Sequence, residues 1–224
     1  MNNNANAHAN ADYKIDRDLA EKVLSVVDKG LVRGLGQAVP GKMCVEAAVC
    51  YAFGLPHSDD PPCVSRAVRR FKIRLNDSRW SSDEARARGM RRLAIAQLGS
   101  SAIDERIFAE YVAYHTMTRI LPIVLRARGQ EALAVKCEQA ADLAQAKAAA
   151  AKAAASAAFA AAYAAAYAAY AADSAYAYAA DAADAADAAD QILTLAAEIA
   201  EEALHWCGSE GCAFLDLAEA GGRA

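Results

Sequence analysis

Between Asp16 and Gly30 the chain reads DRDLAEKVLSVVDKG, with Leu19, Val23, Val26 and Val27 at i, i+4, i+7 and i+8. That spacing sets four apolar side chains on one helical face, with acids early and a glycine stop. LVRGLGQAVPG follows as a glycine-rich loop, and the apolar stretch from near Lys42 to Gly54 predicts a second helix. After the turn LPHSDDPP, residues Val64, Ala67, Val68, Phe71 and Leu75 mark one face of a third helix, from about Cys63 to Asn76, whose opposite face is rich in arginine. A fourth helix follows SRWSSDE, where Ser81 or Ser82 caps and Asp83 or Glu84 sits well in the first turn; it ends at Gly99. The segment SAIDERIFAEYVAYHTMTRILPIVLRARG reads as a fifth helix, kinked near Pro122.

Beyond this point large apolar residues give way to alanine. From Ala140 to Asp190, 33 of 51 residues are alanine, and neither Gly nor Pro occurs between Gln130 and Cys207. Alanine has the highest helix propensity of any residue, and one helix over that span would run roughly 115 Å. A rod or a helical hairpin is therefore expected, with Asp173 or Ser174 the natural break. Phe159, Tyr163, Tyr167 and Tyr170 form an aromatic stripe at helical spacing, whereas Asp181, Asp184, Asp187 and Asp190 recur every third residue and spread over half the circumference. Alanine surfaces let helix axes approach closely, which points to close packing within a hairpin or between subunits. The fold expected is all-α: a leader over 1–12, a compact helical domain over 13–129, a long alanine-rich helix or hairpin over 130–207 and a C-terminal cap over 208–224.

Alanine also inflates the 56% hydrophobic content, so the true core-formers lie mainly between Ile15 and Leu125. The opening MNNNANAHANAD lacks a cationic region followed by an apolar run, so a disordered leader is expected rather than a signal peptide. Charges such as Lys147, Lys152, Asp173 and Asp181 interrupt the alanine stretch, so no membrane span is expected and the location expected is cytoplasmic. Six widely spaced cysteines fit reduced thiols in such a compartment. The net charge of -4 hides an asymmetry: residues 62–92 carry ten bases against three acids, and residues 130–224 carry fourteen acids against four bases.

Candidate chemistry gathers in PGKMCVEAAVCYAFGLPHSDDPPC, Pro40 to Cys63. GQAVPGKM has the glycine and lysine spacing of a phosphate loop, but Met43 stands where a magnesium-binding hydroxyl is needed. What remains is a glycine-rich loop opening onto a helix start, where free amides and Lys42 suit an anion. Cys44 in that first turn, with His57 as base and Asp59 orienting it, is the catalytic arrangement an enzyme would use. Cys44, His57 and Cys63 are the candidate metal ligands, though none forms a Cys-x-x-Cys pair. Glu46, set among apolar residues, needs a cationic partner or a ligand. Arg69, Arg70, Arg91 and Arg92 would gather round an anionic ligand or neutralise the acidic helices, with Tyr51 or Trp80 as stacking surfaces. The helices over 63–97 also admit a helix-turn-helix contact with DNA phosphates.

From Met43 to Asp77 the residues MCVEAAVCYAFGLPHSDDPPCVSRAVRRFKIRLND resemble a family of bacterial and phage proteins with no assigned activity. The likeness rests on Cys44 with Glu46 and Ala47, Gly54, the turn of Asp60, Pro61, Pro62 and Cys63, and the ending Leu75, Asn76, Asp77. It implies a phage association, with sequestration of a host signalling nucleotide as one role. The function expected is a non-enzymatic, cofactor-free helical binding protein that forms a homo-oligomer through its alanine-rich region. It would hold an anionic ligand, a nucleotide above all, with Lys42, Cys44, Glu46, Tyr51, Arg69, Arg70, Trp80, Arg91 and Arg92. A DNA-binding regulator, a cysteine-dependent enzyme and a purely structural assembly protein are the alternatives.

Overall fold

Side-chain caps set where the first helices begin. Asp16 accepts from the Leu19 amide at 3.0 Å and starts α1, Arg17–Val27. The Cys44 sulfur accepts from Ala47 at 3.4 Å and starts α2, Val45–Ala52, three residues later than the apolar pattern implied. Ser65 caps α3, Arg66–Asp77, and Ser82 caps α4, Asp83–Ala96, with Asp83 and Glu84 in its first turn. Asp104 accepts from both Arg106 and Ile107 and starts α5, Glu105–His115. Each cap satisfies amides that the first helical turn leaves without an internal partner.

The expected kink before Pro122 takes a definite form. The helix widens into a π turn, Thr116–Ile120, and resumes as α6, Leu121–Ala127, with the proline at its start. Proline has no N–H to return to the preceding turn and its ring crowds that turn's carbonyl; the wider turn accommodates both.

The computed structural model describes residues 14–154 and 186–220. Within them the fold is all-α; the one β-type contact is an isolated bridge between Gly36 and Met43. The alanine-rich region is not one rod over its described part. α7, Glu131–Glu138, and α8, Leu143–Ala154, are separate helices. Asp142 accepts from the Gln145 amide at 2.8 Å, while Gln145 Oε1 accepts from Ala141 at 3.2 Å, a reciprocal cap that begins a new helix despite the surrounding alanine. The break expected at Asp173 or Ser174, the aromatic stripe and the first two aspartates of the repeat lie outside the described residues. Asp187 and Asp190 belong to α9, Ala186–Trp206, where Asp190 accepts from the Ser81 amide at 2.9 Å and from the Ser81 hydroxyl.

The core includes residues far outside Ile15–Leu125. α9 packs against α4 and α5, burying Ile192, Leu193, Ala196, Ile199, Ala200, Ala203 and Leu204 in the same cluster as Leu93, Ile95 and Phe108. α8 packs on α5 and the π turn through Ala146 and Ala150. A short 3-10 turn, Glu210–Phe214, and α10, Asp216–Ala220, then fold back over α4 and α1. Trp80 is buried beside α4 because residue 89 is glycine: a Cβ there would come within 2.4 Å of the indole.

This topology resolves the charge asymmetry. Arg92 of α4 grips Glu201 of α9 at 2.6 and 2.9 Å and reaches Glu219 of α10 at 3.1 Å. Arg91 pairs with Asp28 at 2.6 and 3.0 Å and donates to the Ala218 carbonyl of α10. Arg119 meets Glu202 at 2.6 Å. Part of the basic block thus neutralises part of the acidic C-terminal region within one molecule.

Candidate functional site

The loop between α1 and α2 doubles back at Gly36, whose φ of +71° favours glycine and whose Cβ would lie 2.2 Å from the Lys42 carbonyl oxygen. Gln37 donates to that oxygen at 2.6 Å, and Cys44 donates to Leu35 at 3.2 Å. The end of α3 clamps the loop from the other side. Asp77 Oδ1 accepts from Gly34 at 2.7 Å; Asn76 donates to Val32 at 2.9 Å and accepts from the Val45 amide at 3.3 Å. Loop, helix start and helix end together enclose a cavity of about 30 Å3 lined by Gly34, Leu35, Cys44, Val45, Glu46, Asp59, Ile73, Asn76 and Asp77.

Glu46 forms part of the inner wall. It is fully buried, and Lys72 of α3, also fully buried, approaches with Nζ 3.5 Å from Glu46 Oε1. The contact is an ion pair at the outer limit of hydrogen-bonding distance, and among the described residues neither Glu46 oxygen nor Lys72 Nζ has a well-formed hydrogen bond. Burial pushes the Glu46 carboxyl up to about 7 against the opposing pull of Lys72 and Arg69. Burial likewise lowers the Lys72 ammonium, against the pull of Glu46. Both shifts express the cost of charge in a low-dielectric interior.

The other expected ligand residues divide. Lys42, Tyr51 and Arg70 are exposed. Trp80 offers no stacking face, since its indole is buried and donates to the Leu75 carbonyl at 2.9 Å. Arg69 is held by Asp59 at 2.6 Å and Asp60 at 3.3 Å, and Arg91 and Arg92 are committed to the pairs above. The cavity is also far below the roughly 300–1,000 Å3 of pockets that enclose drug-sized ligands, and three carboxylates line it.

The elements of a catalytic triad are present but turned to other partners. Cys44 spends its sulfur on capping α2, and burial raises its thiol pKa, the opposite of what a thiolate nucleophile requires. His57 Nε2 lies 3.3 Å from the Gly36 carbonyl, and Asp59 faces Arg69. Among the described residues no three His, Cys, Asp or Glu side chains converge as metal ligands, and burial pushes the Cys63 thiol up to about 11.

Lys72 is the residue that sequence reasoning passed over, although a signal was there. It lies four residues after Val68 and three before Leu75, so it falls on the apolar face of α3 rather than the arginine face. A lone cation on one apolar face and a lone acid on another are complementary. No family model, curated protein or solved structure matches the chain.

Proposed function

We propose that this protein is a non-enzymatic helical binding protein that self-associates through its alanine-rich region and takes an anionic ligand on its outer surface. The observation that carries the first part is how alanine is used where it is described. Ala146 and Ala150 of α8, and Ala196, Ala197, Ala200 and Ala203 of α9, are at most 3% exposed and form their helices' contacts with the body. Small side chains allow close axial approach, and the same chemistry serves between copies of the chain. The second part rests on Arg66 and Arg70, one turn apart on the exposed side of α3, neither of which forms an ion pair among the described residues. Two guanidiniums so spaced suit a phosphate-bearing ligand, and a nucleotide is the class we favour.

Light scattering coupled to size exclusion tests the first part. The full chain should run as an oligomer, and a variant with residues 155–185 replaced by a Gly/Ser linker should run as a folded monomer. A monomeric full chain would remove it. For the second part, nucleoside triphosphates should raise the melting temperature of the full chain and leave an Arg66→Glu/Arg70→Glu variant unmoved; no shift with the full chain would end that reading.

A further inference from the structure

Trp206, at 73%, is the most exposed large hydrophobic side chain among the described residues, and it does not stand alone. Its ring lies 6.5 Å from that of Tyr111; Tyr111 lies 4.2 Å from His115, and Tyr114 meets His115 edge to face at 5.0 Å. Ile107, one turn before Tyr111 on α5, is exposed as well. Rings from α5 and α9 thus form a continuous strip that ends in an indole open to solvent. Apolar residues exposed singly need no explanation, whereas a contiguous group marks a contact surface.

The charges along the strip select what it contacts. Glu198, Glu202 and Trp206 are spaced by four on α9, so they follow one another along a stripe that turns about 40° and rises about 6 Å per step. Glu202 engages its Oε2, which accepts from Arg119 at 2.6 Å and from the Tyr111 hydroxyl at 3.3 Å; its Oε1 makes no hydrogen bond among the described residues. Glu198 is exposed and forms no ion pair among them. The arginines of α5 and the π turn are already taken, Arg106 by Glu110 and Arg119 by Glu202. The capacity left over is an aromatic face and carboxylate oxygens, and both attract a cation.

We infer that this strip is a docking surface for an arginine-bearing segment of a partner protein, with one guanidinium lying on the Trp206 indole and donating to Glu202, and the next donating to Glu198. A guanidinium does both at once, because its plane stacks on a ring while its edge donates to a carboxylate; an ammonium is a compact, strongly hydrated charge and stacks less well. Spacing selects the segment. In an extended chain, side chains on one face recur about every 6.6 Å, close to the step of about 6 Å along α9, so arginine at alternate positions meets Trp206 with Glu202 and then Glu198. This surface belongs to α5 and α9 and takes a cation, so it does not depend on the anionic ligand proposed for α3.

Proton–nitrogen correlation spectra of the full chain test the inference, because its two tryptophans give two indole N–H signals, one from exposed Trp206 and one from buried Trp80. The probe is a blocked Gly/Ser peptide with arginine at two alternate positions. Its titration should move the Trp206 signal and leave that of Trp80 in place. Trp206→Ala, followed by backbone signals of α9, should weaken binding by roughly 2- to 5-fold, as expected for one exposed cation–π contact, and Glu198→Gln should weaken it as well. Both side chains are exposed, so both variants should keep the wild-type melting temperature. A Trp206 signal that stays in place at millimolar peptide would overturn the inference, as would equal affinity for the same peptide with lysine in place of arginine, or undiminished binding by Trp206→Ala. So would a Trp206 signal that moves when the protein alone is diluted, which would assign the strip to a second copy of the chain.

Discussion

Replacing Lys72 by Met removes the cation that pairs with Glu46 and leaves a carboxylate in the core. Breaking a buried pair by deleting one partner costs about 3–5 kcal/mol, a large part of the roughly 5–15 kcal/mol that holds a typical domain together. The loss should depend on pH, and its sign follows from the titration of Glu46. In the folded chain this carboxyl titrates at about 7 rather than at 4.5, so the folded state binds the proton more tightly than the unfolded state does. Its contribution to stability is therefore most favourable below pH 4.5 and declines as pH rises to about 7, by about 3 kcal/mol in all. Without Lys72 the carboxyl is pushed higher still. At pH 8 the variant must either bury an unpaired carboxylate or take up a proton that the unfolded chain does not hold, so it should lose more stability than at pH 5, where the carboxyl is largely neutral with or without Lys72. Urea denaturation followed by tryptophan fluorescence at the two pH values measures both. Glu46→Leu/Lys72→Met should recover most of the loss at pH 8, because well-packed apolar pairs replace buried ion pairs without penalty. Equal losses at pH 5 and pH 8, or a double variant no more stable than Lys72→Met, would refute the reasoning.

Further outcomes follow from other contacts. Gly36→Ala forces a Cβ into the Lys42 carbonyl at a positive φ, and should destabilise by more than ~1 kcal/mol in thermal unfolding. Arg92→Ala removes a bidentate grip on Glu201 that is partly solvated, so the loss should be about 1 kcal/mol and should shrink in high salt. A thiol reagent at neutral pH should modify Cys207 before Cys44 or Cys63, because Cys207 is half-buried and the other two are buried; faster labelling of Cys44 would revive the catalytic-cysteine alternative. Trp206 is 73% exposed while Trp80 is buried, so Trp206→Phe should abolish most of the acrylamide quenching of the wild type.

Helix positions were readable from the chain because they depend on local features: the apolar spacing of α1 and α3, and the caps Ser82 and Glu84's first turn. The place of α9 was not, since an alanine face looks the same whether it meets this body or another copy. Its large residues, Ile192, Leu193, Ile199 and Leu204, were outweighed by the alanines around them. The candidate site was half legible. Cys44, Glu46 and Asp59 do line one cavity, because they are brought together by a short loop and a helix start. For the arginines the sequence left open a ligand or the acidic helices, because an arginine's partner is chosen by tertiary contact, and here Glu201, Glu219 and Asp28 come from distant parts of the chain.

The docking of α9 on α4 also fixes the order in which the protein can be completed. Arg92 and Glu201 are separated by 109 positions, so the face of α4 that α9 covers stays open until α9 itself has been synthesised. Contacts of such long sequence separation close slowly, because chain entropy is spent before they form. During that interval the N-terminal helices carry uncovered apolar surface, the condition under which partly folded chains associate. Refolding of the full chain should accordingly show a phase that is slow for an all-helical protein, and its yield should fall as protein concentration rises.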